Sequence, residues 1–249
     1  MIYNAVVARS STLSRLGRIA EEQWGLVTRR QAQNVAGIAP ATFARLTRDG
    51  SILERVAHGV YHLIGAPLPD HLDLRAAWLQ LAPETPAWDR RPDQGVVSHR
   101  SAAALYGFGH LPADGHHFTL PRRRQSRRSD VRLHRRHLDE RERIDLRGLP
   151  VTRPSRTASD LLYDREDPEA VAHLIADAIR SRYDYPGTFA DALARHAARF
   201  GLRWGDGLAL LRWLLDLVGD PQTSRWVDEA RPQLNWKRPE QAGSDEVAQ

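Results

Sequence analysis

The chain has 249 residues, a formal net charge of +5 and no cysteine. Its length suits one large domain or two small ones, and the lack of cysteine excludes disulfides and Cys-based zinc or iron–sulfur sites. No signal-peptide core stands at Met1–Ser11 and no apolar run is long enough to span a bilayer, so we expect a soluble, cytoplasmic protein without membrane contact.

Two helices are predicted at the start of the chain. Apolar residues recur at helical spacing over Thr12–Trp24, and Gly25 provides the stop. A second helix is expected over Arg29–Ala36, with Thr28 as its N-cap and Gln31 completing a capping box. The pattern therefore predicts two short helices in quick succession.

A third helix follows a tight turn at Gly37. Pro40 suits its first position and the helix is expected to end near Arg48, with Phe43 and Leu46 facing inward. Two short helices joined by a glycine turn are typical of a helix-turn-helix. Small residues near the start of the outward face and arginines further along suit entry into the DNA major groove. That face carries Ala41, Thr42, Arg45 and Arg48.

The segment Ser51–Leu63 predicts a β-hairpin directly after this helix, with Ala57-His58-Gly59 as its turn. A hairpin here would form the wing of a winged helix-turn-helix. Arg55 and His58 would reach backbone phosphate, as would Arg29 and Arg30 at the start of the second helix. Winged helices also occur as protein-binding modules, but the order of these elements favours DNA binding.

The domain organisation follows from composition and pattern. We expect a winged helix-turn-helix over residues 1–66, a short linker at Pro67–Pro69 and a C-terminal domain over residues 70–236. Residues 237–249 have the composition of a disordered tail. The fold class is α+β, in which the second domain is mixed, largely helical and built around a small sheet.

The second domain is predicted to contain several helices. The helices are expected at Asp70–Leu81, His99–Tyr106, Ala158–Tyr163, Pro168–Arg182, Gly187–Phe200 and Asp206–Leu217. Ser98 is the expected cap of the second of these helices, and Ser155 or Thr157 of the third. Trp204, Trp213 and Trp226 are interpreted as packing residues.

An arginine-rich segment separates two predicted strands, Phe118–Leu120 and Val131–His134. It is expected to be a hairpin or loop that contacts phosphate, either on operator DNA or on RNA. A flexible solvated loop is the alternative. The arginines are Arg122, Arg123, Arg124, Arg127 and Arg128, and Arg135 and Arg136 extend the series.

Charge is distributed unevenly along the chain. Residues 115–156 have 13 basic and 5 acidic residues, whereas residues 160–249 have 11 basic and 16 acidic residues. Such asymmetry suggests that one part faces a polyanion. The acidic part suits either an ordinary solvated surface or contact with a basic protein.

No catalytic or metal site is expected, and no cofactor. Ser98 and His99 are adjacent and lack a nucleophile motif, so capping and packing explain them better. His116-His117 and His134-x-x-His137 lack a third ligand at a recognisable spacing. A metal-dependent nuclease of the kind joined to winged helices needs an Asp and a Glu-x-Lys motif to hold Mg²⁺, and the only lysine, Lys237, is not preceded by such residues. The sequence motifs of phosphate-binding loops, dinucleotide-binding folds and metalloproteases are absent as well.

Three segments resemble the antitoxins of the AbiEi type, which belong to type IV toxin–antitoxin pairs. The winged-helix matches are Gly25-Leu26-Val27-Thr28, Gly37-Ile38, Leu46, Gly50, Leu53, Arg55-Val56 and Gly59-Val60-Tyr61. Val96–Gly109 and Leu149–Leu162 resemble two further family segments in the same order. Ala39 and His58 depart from the serine and arginine that the family often carries there.

The resemblance implies two functions for a protein of this type. The winged helix would bind inverted repeats in its own promoter and repress it. The remaining domain would counteract a nucleotidyltransferase-type toxin, with or without direct contact. A ligand-sensing winged-helix transcription factor without an antitoxin role is the alternative.

Overall fold

The computed structural model describes residues 13–48, 50–112 and 114–236, and the chain divides into two compact units. Of the described residues, those within 1–97, 115–137 and 145–150 form the first unit, and those within 98–114, 138–144 and 151–249 form the second. The predicted tail at 237–249 and the predicted helix start at Thr12 lie outside the described residues. The architecture is α+β, as predicted from the sequence.

The first unit begins with the predicted winged helix-turn-helix. A three-stranded sheet of order β1-β3-β2 packs beside three helices. All its strand pairs are antiparallel, and β1 was not foreseen as a strand. The elements are α1 (residues 13–21), β1 (Leu26–Thr28), α2 (Arg29–Asn34), α3 (Pro40–Thr47), β2 (Leu53–Ala57) and β3 (Val60–Leu63).

Local sequence explains where α2 and α3 begin. Thr28 and Gln31 form the predicted capping box, with the Gln31 backbone N–H donating to the Thr28 hydroxyl at 3.0 Å. Pro40 stands at the start of α3, whose N-cap Ala39 provides no side-chain hydrogen bond. Phe43 and Leu46 are buried, and the Phe43 ring meets Tyr61 edge-on at 5.0 Å. Packing therefore fixes which face of α3 points outward.

A buried pair of glutamines connects the helix-turn-helix to the segment after α4 (Leu72–Leu81). The Gln23 amide donates to Gln31 at 2.7 Å, and the Gln31 amide donates to the Thr85 carbonyl at 2.9 Å. The Ala87 backbone N–H donates to the Gln23 side chain at 3.0 Å. These bonds cross the boundary predicted after residue 66, and independent folding of residues 1–66 stays a prediction.

Strands β4, β5 and β6 complete the first unit and lie side by side in a sheet of order β6-β5-β4-β8-β7. The β4–β5 pair is antiparallel and the β5–β6 pair is parallel. A hairpin between β5 and β6 is therefore excluded, and residues 121–130 form the loop that returns to the start of β6. The bounds are β4 (Val96–Val97), β5 (His116–Leu120), β6 (Val131–Arg135), β7 (Arg143–Leu146) and β8 (Leu149–Thr152).

The second unit is mainly helical and has its own apolar core. Fully buried residues from successive helices form this core, including Leu161, Ile175, Phe189 and Leu214. No helix of the described residues combines the length and apolar character needed to cross a bilayer. The helices are α5 (His99–Tyr106), α6 (Pro154–Tyr163), α7 (Pro168–Arg180), α8 (Pro186–Leu193), a 3-10 helix (Ala194–Phe200), α9 (Gly207–Leu217) and α10 (Thr223–Trp236).

Of the two predicted helix caps in this unit, one stands at the predicted position and the other is wrong. Ser98 is the N-cap residue of α5, which spans His99–Tyr106 as predicted, but its side chain makes no capping hydrogen bond and its hydroxyl lies 2.9 Å from Nδ1 of His99. Helix α6 begins at Pro154, earlier than predicted, so Ser155 lies inside it and its backbone N–H donates to Asp184 at 3.0 Å. Thr157 also lies within the helix and is buried.

The predicted packing role of the tryptophans holds for two of three. Trp226 is buried in the core of the second unit, and Trp213 is partly exposed beside Phe200, with ring centroids 5.1 Å apart. Trp204 is wrong as a packing residue, since 82% of its surface is exposed. It lies in the turn before α9, where the apolar periodicity of the neighbouring helices does not extend.

Candidate nucleic-acid interface

The outward face of α3 carries the residues predicted to contact DNA. Ala41, Arg45 and Arg48 are exposed and Thr42 is half-buried. Among the described residues, neither the Arg45 nor the Arg48 guanidinium has a hydrogen-bond or ion-pair partner. Small side chains therefore stand near the start of the helix, and two uncommitted arginines stand further along.

The wing presents Arg55 and His58 together at its exposed tip. Nη2 of Arg55 lies 3.1 Å from Nδ1 of His58, and Nε of Arg55 donates to the Ala57 carbonyl at 3.4 Å. Arginine can only donate, so His58 accepts with an unprotonated Nδ1 in this arrangement. These two contacts hold the Arg55 guanidinium against the turn of the wing.

The start of α2 lies against the same tip. The backbone N–H of Arg29 donates to the Gly59 carbonyl at 2.9 Å, and both Arg29 and Arg30 are exposed. Arg30 forms an ion pair with Glu84 at 3.5 Å, and both side chains are more than half exposed. Glu84 is a neighbour that sequence reasoning did not identify.

The arginine loop, residues 121–130, contains arginines of two kinds. Arg124 donates to the Leu81 carbonyl at the end of α4. Arg128 forms a bidentate ion pair with Asp130, in which Nε and Nη2 each donate a hydrogen bond to the carboxylate. These hydrogen bonds lower the pKa of the Asp130 carboxyl to about 2. Arg124 and Arg128 thus hold the loop in place.

The other loop arginines are exposed to solvent. Among the described residues, Arg122, Arg123 and Arg127 have no hydrogen-bond or ion-pair partner. Their charge is therefore available to an external anion.

Gln80 joins this loop to the wing. Its side-chain amide donates to the His58 carbonyl at 2.7 Å, and its side-chain oxygen accepts from Arg128 at 2.7 Å. One residue of α4 therefore bonds both the wing tip and the base of the arginine loop. No sequence signal distinguishes Gln80, because its role depends on contacts between distant segments.

A groove of about 510 Å³ lies between α2, the end of α4 and the arginine loop. Arginines from two separate segments line it, together with two carboxylates and two amides. The polar lining residues are Arg30, Arg122, Arg123, Arg124, Glu84, Asp93, Gln80 and Gln94. Three of the predicted loop residues and one predicted α2 residue therefore come together, whereas Arg127 and Arg128 lie outside this lining.

Strands β5 and β6 bring two histidines of the first unit together. His117 and His134 stack with ring centroids 5.2 Å apart, and Nδ1 of His117 lies 3.1 Å from Nε2 of His134. His116 lies 3.7 Å from Asp130, and burial, followed by the charge of Arg128, lowers its pKa.

Within the segment that carried the third resemblance, residues 151–162 belong to the second unit and have a structural role there. Nε of Arg156 donates to Asp160 at 2.9 Å and Nη1 donates to Glu142 at 2.7 Å. The hydroxyls of Thr152 and Thr157 lie 2.7 Å apart and are buried. These contacts hold the start of α6.

Comparison with known proteins bears on the first module. Residues 14–64 match the model of a family described as "Transcriptional regulator, AbiEi antitoxin", a family of regulators and not a class of enzymes. No curated protein matches the chain. Among solved structures, the RV2827C protein from Mycobacterium tuberculosis is 20% identical, with a TM-score of 0.48 over 92% of this chain and 82% of that one.

The matched stretch begins within α1 and ends just after β3, so it covers the described helix-turn-helix and its wing. The family recognised from the residues is thereby confirmed in this region. Residues 14–64 of this chain form a winged helix-turn-helix, and this region matches the model of the AbiEi antitoxin family of transcriptional regulators.

Proposed function

We propose that this protein is a cytoplasmic antitoxin that binds its own promoter and represses it. The observation that carries the proposal is the outward face of α3, where Arg45 and Arg48 are exposed and unpaired within the described residues. A helix of this kind, held by a buried opposite face, suits the major groove, where arginine recognises guanine O6 and N7. Ala41 and Thr42 leave room for close approach.

Phosphate contacts would position the helix on the duplex. Arg29 and Arg30 at the start of α2 and Arg55 and His58 at the wing tip surround α3 with basic groups. Such contacts carry no sequence information, but they set the register and make binding fall steeply as salt rises. We expect the operator to contain inverted repeats, each read by one copy of the protein.

A titration of labelled duplexes tests promoter binding. We expect tight binding to the protein's own upstream region and weak binding to an unrelated duplex. Arg45→Ala and Arg48→Ala should each cost roughly 1–3 kcal/mol on the operator, if the side chain contacts a base. Arg15→Ala removes one exposed arginine of α1 and serves as the matched control. Normal operator binding by both α3 variants would show that α3 is not the recognition helix.

The antitoxin function is tested separately from repression. We propose that a nucleotidyltransferase toxin encoded beside this gene is counteracted by the second unit, whose segment 160–249 is acidic. Co-expression should rescue growth from the toxin, and Arg45→Ala should lose promoter repression while keeping rescue. Repression without any rescue would favour a ligand-sensing regulator instead.

A further inference from the structure

The groove bounded by the arginine loop extends the basic surface beyond the wing. We propose that it binds phosphate groups, and that its occupant is the DNA backbone flanking the sequence read by α3. This inference rests on the proposed function, because it assumes that α3 is seated on a duplex. It adds a second contact region that the winged helix alone does not contain.

Charge supports a phosphate ligand. Arg122 and Arg123 line the groove and have no partner in the part of the chain that the structure describes. The ion pair between Arg30 and Glu84 is long, at 3.5 Å, and 65% of the Arg30 side chain and 52% of the Glu84 side chain are exposed to solvent. An exposed pair of this kind is weak. Phosphate can therefore replace Glu84 as the partner of Arg30, because the charge-assisted hydrogen bonds from arginine to phosphate are short and often bidentate.

The geometry fixes the groove relative to the wing. Gln80 lines the groove and also bonds the wing-tip carbonyl of His58 and the guanidinium of Arg128. Arg29 bonds Gly59 through its backbone, so the start of α2 is attached to the same tip. A strand of DNA whose phosphates lie at the wing tip therefore continues towards the groove. Gln80 acts as a positioning residue that keeps the two surfaces aligned.

Two duplexes of different length test the DNA assignment. Both contain the operator core, and one continues on each side by about ten base pairs, one helical turn. For Arg122→Ala/Arg123→Ala we expect about tenfold weaker binding to the long duplex, with the salt slope reduced by about 2. Binding to the short duplex should remain unchanged.

Two control variants and one further test variant accompany this measurement. Arg15→Ala/Arg18→Ala removes the same charge from α1 and should leave the advantage of the long duplex intact. Arg122→Lys/Arg123→Lys retains the charge and should keep the salt slope. Gln80→Ala changes no charge, yet it should reduce the advantage of the long duplex by releasing the loop from the wing.

Tripolyphosphate, titrated by calorimetry into the full chain, separates the sources of phosphate. We expect weak binding that Arg122→Ala/Arg123→Ala abolishes and that competes with the long duplex. If the double variant loses tripolyphosphate but keeps full affinity for the long duplex, the DNA assignment is overturned. If it loses neither, there is no phosphate site in the groove. Failure of the proposed function would give a different result: the wild-type protein would bind the operator duplex and an unrelated duplex with equal affinity.

Discussion

At the scale of single residues, arginines of the same sequence run have different roles. Arg124 and Arg128 are bonded to the Leu81 carbonyl and to Asp130, whereas Arg122 and Arg123 are exposed without partners among the described residues. Composition predicts a basic loop, but it does not tell the anchoring arginines from the available ones. That distinction depends on Leu81 and Gln80, which lie 43 and 48 positions before their arginine partners in the chain.

Glu84 limits the positive charge at the start of α2. Replacing it by glutamine removes the carboxylate paired with Arg30, and we expect Glu84→Gln to strengthen DNA binding up to about fivefold, the effect of a weak exposed pair. Fluorescence anisotropy titrations at two salt concentrations would measure the increase in DNA affinity, which should be smaller at the higher salt concentration. Glu54→Gln, an exposed carboxylate of the wing strand β2, is the comparison. Weaker binding by Glu84→Gln would argue that Glu84 positions Arg30 instead of competing for it.

At the scale of elements, helix positions followed from local patterns and strand pairing did not. The capping box at Thr28 and the proline at the start of α3 are local signals, and both lie where the sequence predicted them. The parallel pairing of β5 and β6 was missed, because alternation marks a strand without giving its direction or its neighbour. Ser98 stands at the predicted N-cap of α5 without a side-chain capping bond, whereas the cap assigned to Ser155 or Thr157 is wrong because α6 begins earlier, at Pro154.

Two glycines should respond in opposite ways to alanine. Gly17 lies within α1, and a Cβ there meets nothing within 4 Å, so Gly17→Ala should stabilise by about 0.5–1 kcal/mol. At Gly207, the first residue of α9, a Cβ would stand 1.8 Å from the Ala190 carbonyl oxygen of α8. Gly207→Ala should therefore destabilise by about 1–3 kcal/mol or more.

Urea unfolding of the two variants tests this difference. Equal effects would show that helix propensity alone decides the outcome, without the close approach of α8 to α9.

At the scale of the whole molecule, stability should depend on pH through the second unit. His196 is buried and its Nε2 lies 2.9 Å from the Ser159 hydroxyl. Burial, assisted by the charges of Arg195 and Arg199, lowers the pKa of His196 from 6.5 to about 4. Between these values the unfolded chain binds the proton more readily than the folded chain. The free energy of unfolding should therefore fall as pH falls from 6.5 towards 4, by up to about 3 kcal/mol.

Urea titrations at several pH values would measure this loss, with His196→Gln as the matched variant. The glutamine amide can still bond Ser159 but does not titrate, so its profile should be flatter across the window. Identical slopes for the two proteins would assign the pH dependence to other groups.

The sequence by itself determined the α+β class, the helix-turn-helix with its wing, the family of residues 14–64 and the exposed face of α3. These features depend on interactions within a few residues, such as caps, turns and the spacing of apolar side chains, which are visible in a linear pattern. Only the tertiary structure decided that α4 and the arginine loop share a unit with the winged helix, and that Gln80 joins them. Hydrogen bonds between residues 20 to 50 positions apart leave no periodic signal in the sequence, because chain folding alone brings the partners together.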